Sequence, residues 1–259
     1  MLLGSALVAM SIAWSDPRPA AAEQSPDRAA VEAFRRGDFE AAQNLWTAAL
    51  ERGEGAGRPL PPAERGRLLY DVGNAAFRRG NVLEAVGWYT ASLRERPRDA
   101  DTWKNLEHAR ATAKLDPADR GDLAATGWRL VSSLTSAESE WLALLGAFAW
   151  CALLVAEALR GGRLLRRLAF LGLLLNLATL APWLYHRTHD GLDTVLVIEA
   201  SEHGADVRSE PRPDAVAVGN AAAGSEVERL DELPGWTKIA LPGDASGWIE
   251  SRAAFPLRR

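Results

Sequence analysis

The sequence predicts a multidomain chain: an all-α helical repeat region, a two-helix transmembrane hairpin and a small C-terminal all-β barrel. Three observations predict it. Residues 33–37 and 76–80 both read AFRRG, and a similar helical stretch follows each copy. Residues 141–185 hold two apolar runs divided by an arginine-rich connector. Beyond residue 190, short β-type runs alternate with turn residues.

Composition bounds the functional classes. A chain of 259 residues has room for one to three domains. The formal net charge is −4 and the pI about 5.7, and no basic stripe lies outside residues 160–167, which argues against nucleic acid as a partner. The single cysteine, Cys151, falls inside the first apolar run. That rules out a disulfide framework and makes a catalytic thiol implausible. Ten tryptophans and 47% apolar residues suffice for packed domains besides the apolar runs.

From the amino terminus, Met1 to Trp14 carries no charge and Ala20-Ala21-Ala22 follows. Residues 1–22 therefore read as a signal-like leader cleaved after Ala22, or, uncleaved, as a third short membrane segment. No Lys or Arg precedes the apolar run, which leaves open a start upstream of Met1.

Residues 23–115 form the repeat region. The second unit, from Gly66, places Leu69, Val72, Gly73, Phe77, Gly80, Ala85, Tyr89 and Pro97 in a pattern that resembles the tetratricopeptide repeat. The physical content is packing: Gly73 and Ala85 let two antiparallel helices approach, and Tyr89 and Leu93 fill the space between repeats. The first unit matches in its second helix through Ala42, Trp46, Ala49 and Leu50, and its first helix starts near Ser25-Pro26. Between the units, Gly53, Gly55 and Gly57 make a G-x-G-x-G run with no strand before it, so it reads as a loop and not a phosphate cradle. Residues 99–115 supply a third first-helix that caps the second unit. The resemblance implies peptide binding along the concave face of the first helices. In this register that face carries Tyr70, Asn74, Arg78, Lys104, Asn105 and His108. The reading is a groove for an extended or acidic peptide; the alternative is an ordinary solvated helix face.

Residues 116–140 link the repeats to the membrane. Leu123, Gly127, Leu130, Val131 and Leu134 recur at helical spacing, as an interfacial helix or a repeat-capping one would. Thr135-Ser-Ala-Glu138 is a capping box that starts the next helix.

The hairpin, 141–185, consists of runs 141–159 and 168–185. At 1.5 Å per residue each spans about 27–29 Å, close to the ~30 Å hydrocarbon core. Residues 160–167 carry Arg160, Arg163, Arg166 and Arg167 and no acid, so the positive-inside rule makes this connector cytoplasmic. Trp141, Trp183 and Tyr185 mark the opposite ends. Glu157 lies i,i+3 from Arg160, close enough for local pairing, and Asn176 and Thr179 read as glue between helices. The expected location is the bacterial inner (cytoplasmic) membrane, with both soluble parts on the periplasmic side.

Residues 190–259 complete the chain. His186 and His189 just before them have no cysteine or carboxylate cluster beside them, so no metal site is expected. Strands are expected from Thr194, Ala205, Ser225, Gly235 and Ser246. The stretches Ala205-Asp-Val-Arg-Ser-Glu-Pro211, Gly235-Trp236-Thr-Lys-Ile239 and Gly247-Trp248-Ile249 resemble the bacterial SH3-like domain. Arg208 should brace the barrel and Trp248 should be packed. The resemblance implies peptide or cell-wall binding, with Trp236 and the long 209–220 loop as the candidate ligand face; a purely structural role is the alternative.

The order of parts resembles the BatE family of the Bacteroides aerotolerance (Bat) operon. That resemblance implies an envelope scaffold in a stress or aerotolerance complex, beside von Willebrand A-type Bat proteins and a MoxR-type ATPase. The residues themselves offer no nucleophile elbow, phosphate loop or metal cluster, so neither enzyme activity nor a cofactor is expected. The leading expectation is a membrane-anchored scaffold that binds other proteins. The alternatives are an envelope sensor whose SH3-like domain binds peptidoglycan and, less well matched to only two spans, a transporter subunit.

Overall fold

The computed structural model describes residues 26–55, 59–117, 131, 133–189, 192–199, 204–243 and 245–257. The leader at 1–22 and most of the 116–140 linker, including its interfacial or capping helix, lie outside the described residues.

Five helices form the N-terminal part: α1 (Pro26–Arg35), α2 (Phe39–Gly55), α3 (Pro62–Arg78), α4 (Val82–Glu95) and α5 (Ala100–Thr112). Each packs on the next in sequence, as short connections between antiparallel helices require. The repeated AFRRG string has a structural reason. Its glycine, Gly37 or Gly80, takes a left-handed φ of 82° or 88° just past a helix end. Asp38 N–H then reaches back to Ala33 O at 3.0 Å, and Asn81 N–H to Ala76 O at 3.0 Å. The same string closes two helices with the same bonds.

Close approach of α3 and α4 rests on Gly73, where an added Cβ would sit 2.8 Å from the Tyr89 ring. Val72, Ala75, Ala76, Ala85, Val86 and Tyr89 fill the interior between them. Ser92 Oγ donates to Gly66 O at 2.7 Å, and Asp99 caps α5 by accepting from Thr102 N–H at 2.8 Å. Burial pushes the Asp99 carboxyl up, but those Thr102 bonds and the Arg96 guanidinium outweigh it and hold the group below the usual range.

Two long helices follow, α6 (Ser136–Arg160) and α7 (Arg163–His189), both long and apolar enough to cross a membrane. The Thr135–Glu138 capping box is formed in both directions, at 3.2 and 2.9 Å. The connector is shorter than the sequence suggests. Only Gly161 and Gly162, at φ 64° and 115°, break the helix, and Arg163, Arg166 and Arg167 lie in the first turns of α7. Glycine sets the approach of the pair: a Cβ on Gly146 would lie 2.3 Å from Thr179 Oγ1 and 3.3 Å from Asn176 Nδ2. Asn176 and Thr179 thus sit at the contact between the two helices. Glu157 pairs across the turn with Arg166 at 3.4 Å, in place of the expected Arg160.

Seven strands make the C-terminal sheet: β1 (Thr194–Val197), β2 (Ala205–Arg208), β3 (Ala217–Ala221), β4 (Glu226–Leu233), β5 (Trp236–Ala240), β6 (Ser246–Glu250) and β7 (Ala254–Pro256). All pairs are antiparallel, in the order β3-β2-β6-β5-β4-β1-β7. Strand β3 takes up the end of the expected 209–220 loop and runs one residue past it, and β7 adds a strand after β6. Val195, Val197, Val207, Ile239 and Ile249 form the interior. Arg208 braces it, donating to Ala215 O at 3.0 Å, and Trp248 is buried.

The helices and the sheet share one core. Leu196, Phe255 and Leu257 from β1, β7 and the residue after it join the buried side chains of α1–α5. Phe255 meets Trp88 of α4 edge to face, centroids 4.9 Å apart. Beside them, a Cβ on Gly87 would come within 2.6 Å of the Phe255 ring. Arg94 pairs with Glu226 at 2.7 Å at the rim of this contact. The hairpin is strapped on as well, since Arg98 donates twice to Glu138, at 3.0 and 2.8 Å.

Candidate functional site: the groove between α3 and α5

Helix periodicity places Tyr70, Asn74 and Arg78 on one face of α3, at i, i+4 and i+8, and the matching face of α5 carries Lys104, Asn105 and His108. The structure brings three of these six together directly. Asn105 Nδ2 donates to Tyr70 Oη at 3.1 Å and to Asn74 Oδ1 at 2.9 Å. Tyr89 of α4 donates its hydroxyl to the same Asn74 oxygen at 2.8 Å from beneath. Burial raises the Tyr89 phenol above its ordinary value, with the neighbouring Tyr70 adding to it, so Tyr89 remains a donor at any working pH. The face shared by α3 and α5 is therefore a hydrogen-bonded lattice held from three helices.

The other three residues make none of these bonds and are exposed. Lys104 is exposed, His108 is exposed with its ring 5.2 Å from that of Phe77, and the Arg78 guanidinium lies 4.8 Å over the Phe39 ring. The arrangement offers amide and phenol groups below and cationic groups above, a combination suited to peptide backbone and carboxylates.

Sequence reasoning missed two members of this face. Arg67 and Asp71 lie one turn toward the start of α3, and Arg67 donates to Asp71 at 3.0 Å and to Asp27 of α1 at 3.1 Å. Their i,i+4 spacing was the available signal. Trp46 Nε1 also donates to Asp27, at 3.1 Å. Burial, helped by the like charge of Asp27 and opposed by Arg67, pushes the Asp71 carboxyl up to about 6.

A pH dependence follows. Asp71 holds its proton to about 6 when folded and to 3.8 in the reference state, so the folded chain binds the extra proton between those values. The contribution of this group to stability is expected to rise as pH falls from 7 toward 4, by on the order of 2 kcal/mol. Urea unfolding of the detergent-solubilised protein at pH 7 and pH 5, followed by circular dichroism, measures it. Asp71→Asn should abolish this increment; an unchanged increment would assign it to another group.

In the sheet, Trp236 opens β5 half-buried, paired in register with Leu233 of β4 and Glu250 of β6. Leu230 and Leu233 beside it are exposed. The 209–216 loop is closed by Ser209 N–H on Val216 O at 2.9 Å and carries the Arg212–Glu210 pair at 3.1 Å. Trp236 and this loop are not in contact by any bond among the described residues. Among those residues no group of three or more His, Cys, Asp or Glu is placed to hold a metal ion.

No curated protein and no solved structure matches the chain. A family model does match its C-terminal part: residues 203–253 match the bacterial SH3 domain, consistent with the antiparallel sheet found there. Strands β1 and β7, which join that sheet to the helices, flank the matched segment.

Proposed function

We propose that the protein is a membrane-anchored, extracytoplasmic adaptor whose tetratricopeptide-type helices capture an extended or acidic segment of another membrane protein. The observation that carries this reading is the α3–α5 groove, in which Tyr70, Asn74 and Asn105 are bonded to one another beneath an exposed Lys104. A preorganised polar floor lowers the ordering cost of holding a peptide. The contact between Phe255 and Trp88 supports this reading, because two crossings by the hairpin would leave both soluble parts on the same side. The arginines of the connector then orient that side outward. The order of parts makes von Willebrand A-type partners of a Bat-like stress or aerotolerance complex the first candidates, with no enzymatic step and no cofactor.

The test keeps the whole chain, because deleting 23–115 or isolating 190–259 would uncover Leu196, Phe255 and Leu257. Crosslinking in intact cells with the tagged protein should recover a membrane partner. Reversing the rim with Lys104→Glu and Arg78→Glu should lower that recovery about tenfold or more if two charge-assisted contacts are lost. Undiminished recovery would remove the groove from the interaction.

A second reading is favoured by the SH3 match at 203–253. In it the sheet binds peptidoglycan through the Trp236 side, and the helices relay occupancy. Retention of the full chain on purified sacculi, lost with Trp236→Ala and kept with the rim reversed, would support the sensor over the adaptor.

A further inference from the structure

One face of α6 is not used in its contact with α7. Gly146, Trp150 and Leu153 meet α7 through Thr179 and Gly172. Beside that seam the outer face of α6 carries a shallow apolar groove, open to its surroundings, in which the small side chains Cys151, Ala152 and Ala156 lie between Phe148, Val155 and Leu159. The flanking side chains are exposed, Leu159 to 80% and Phe148 to 75%. The groove is apolar along its length and ends at Arg160.

The charge at that end is unbalanced. Glu157 engages Arg166, and among the described residues no carboxylate lies within salt-bridge distance of Arg160, Arg163 or Arg167. Arg163 and Arg167 share one face at i,i+4, and only Gly161 and Gly162 separate Arg160 from Arg163, a chain reach of at most about 10 Å. Guanidinium groups bond phosphate oxygens in pairs, with a geometry that an ammonium cannot reproduce.

We propose that this end of the hairpin holds one anionic phospholipid, with its phosphate on Arg160, Arg163 and Arg167 and one acyl chain along the α6 groove. Charge complementarity selects the occupant. A second transmembrane helix would fill the groove and leave three guanidinium groups unmatched. The tail passes from one apolar medium to another, so the groove sets position while the headgroup sets selectivity. The proposal rests on the two helices spanning a membrane. Carbonate extraction separates the failures: an extracted chain loses the span reading, whereas a retained chain with no lipid preference loses only this one.

The experiment is native mass spectrometry of the full chain, delipidated and mixed in detergent with equimolar phosphatidylglycerol and phosphatidylcholine. The wild type should retain phosphatidylglycerol about fivefold or more over phosphatidylcholine. The triple variant Arg160→Gln, Arg163→Gln, Arg167→Gln leaves Arg166 at the connector but removes the charge that distinguishes phosphatidylglycerol from phosphatidylcholine, and should lose most of the preference. Ala156→Phe, which obstructs the groove without touching charge, should lower phosphatidylglycerol retention on its own. Equal retention of the two lipids by the wild type would overturn the proposal, as would a preference unaffected by both variants. Displacement of phosphatidylglycerol by excess inorganic phosphate would make the site a phosphate site without the groove. A lipid-free dimer would give the groove to a second copy.

Discussion

Phe255→Ala is expected to destabilise the helices and the sheet together, by about 3–5 kcal/mol. The ring is 3% exposed and lies edge-on against Trp88 at 4.9 Å, within a core that also contains Leu196 and Leu257. Removing it leaves a cavity bounded by two elements that cannot collapse, because α4 is fixed by α3 and β7 by β1. Aromatic pairing adds about 0.5–1.5 kcal/mol beyond the lost area. Hydrogen exchange should show protection falling in α4 and in β1 and β7 at once, while the interior of β2, β5 and β6 changes least. Gly87→Ala probes the same contact from the other side. Alanine favours a helix over glycine by about 1 kcal/mol, yet its Cβ would press on a buried ring, so a net loss is expected. Loss of protection in the sheet alone would show that the two parts are stable independently.

Asn74→Ala is the second substitution with a large expected effect, in stability and in binding. Asn74 Oδ1 accepts from Tyr89 at 2.8 Å and from Asn105 at 2.9 Å, so alanine takes this acceptor from the buried Tyr89 phenol, while the half-buried Asn105 amide keeps its bond to Tyr70. The expected loss is about 1–3 kcal/mol, set by the desolvated Tyr89 hydroxyl. Combining the change with Tyr89→Phe should recover part of it, because the stranded donor is gone. The double variant then isolates function: partner recovery should stay low although the fold is restored. Full recovery of crosslinking in the double variant would show that the lattice supports the helices without contacting a ligand.

How far the residues announced this architecture depends on how local each cause is. The AFRRG copies were legible because the helix end they encode is finished within six residues, by Gly37 or Gly80 and a bond back to Ala33 or Ala76. The Thr135–Glu138 box was legible for the same reason. Tyr70, Asn74 and Asn105 were named from the register that the tetratricopeptide resemblance implies, but their Tyr89 anchor read only as a packing residue. Strand β3 escaped because Ala-Val-Gly-Asn-Ala lacks the alternation and branched side chains of a strand, and pairing with β2 imposes its form. Gly87 escaped altogether. Nothing near it in sequence explains a glycine inside α4, since its reason, Phe255, arrives at the far end of the chain.

That distance has a consequence for biogenesis. A ribosome delivers α1–α5 long before β7, with the hairpin in between, so the helices wait with the Trp88 face uncovered until the end of the chain arrives. The Phe255 contact is therefore a closing step and, on the proposed membrane-spanning reading, one that awaits completion of both crossings. On that reading, a chain whose second crossing fails keeps an apolar slot open to the proteases and chaperones that survey exposed surface. Correct insertion and resistance to degradation would then be linked through a single ring.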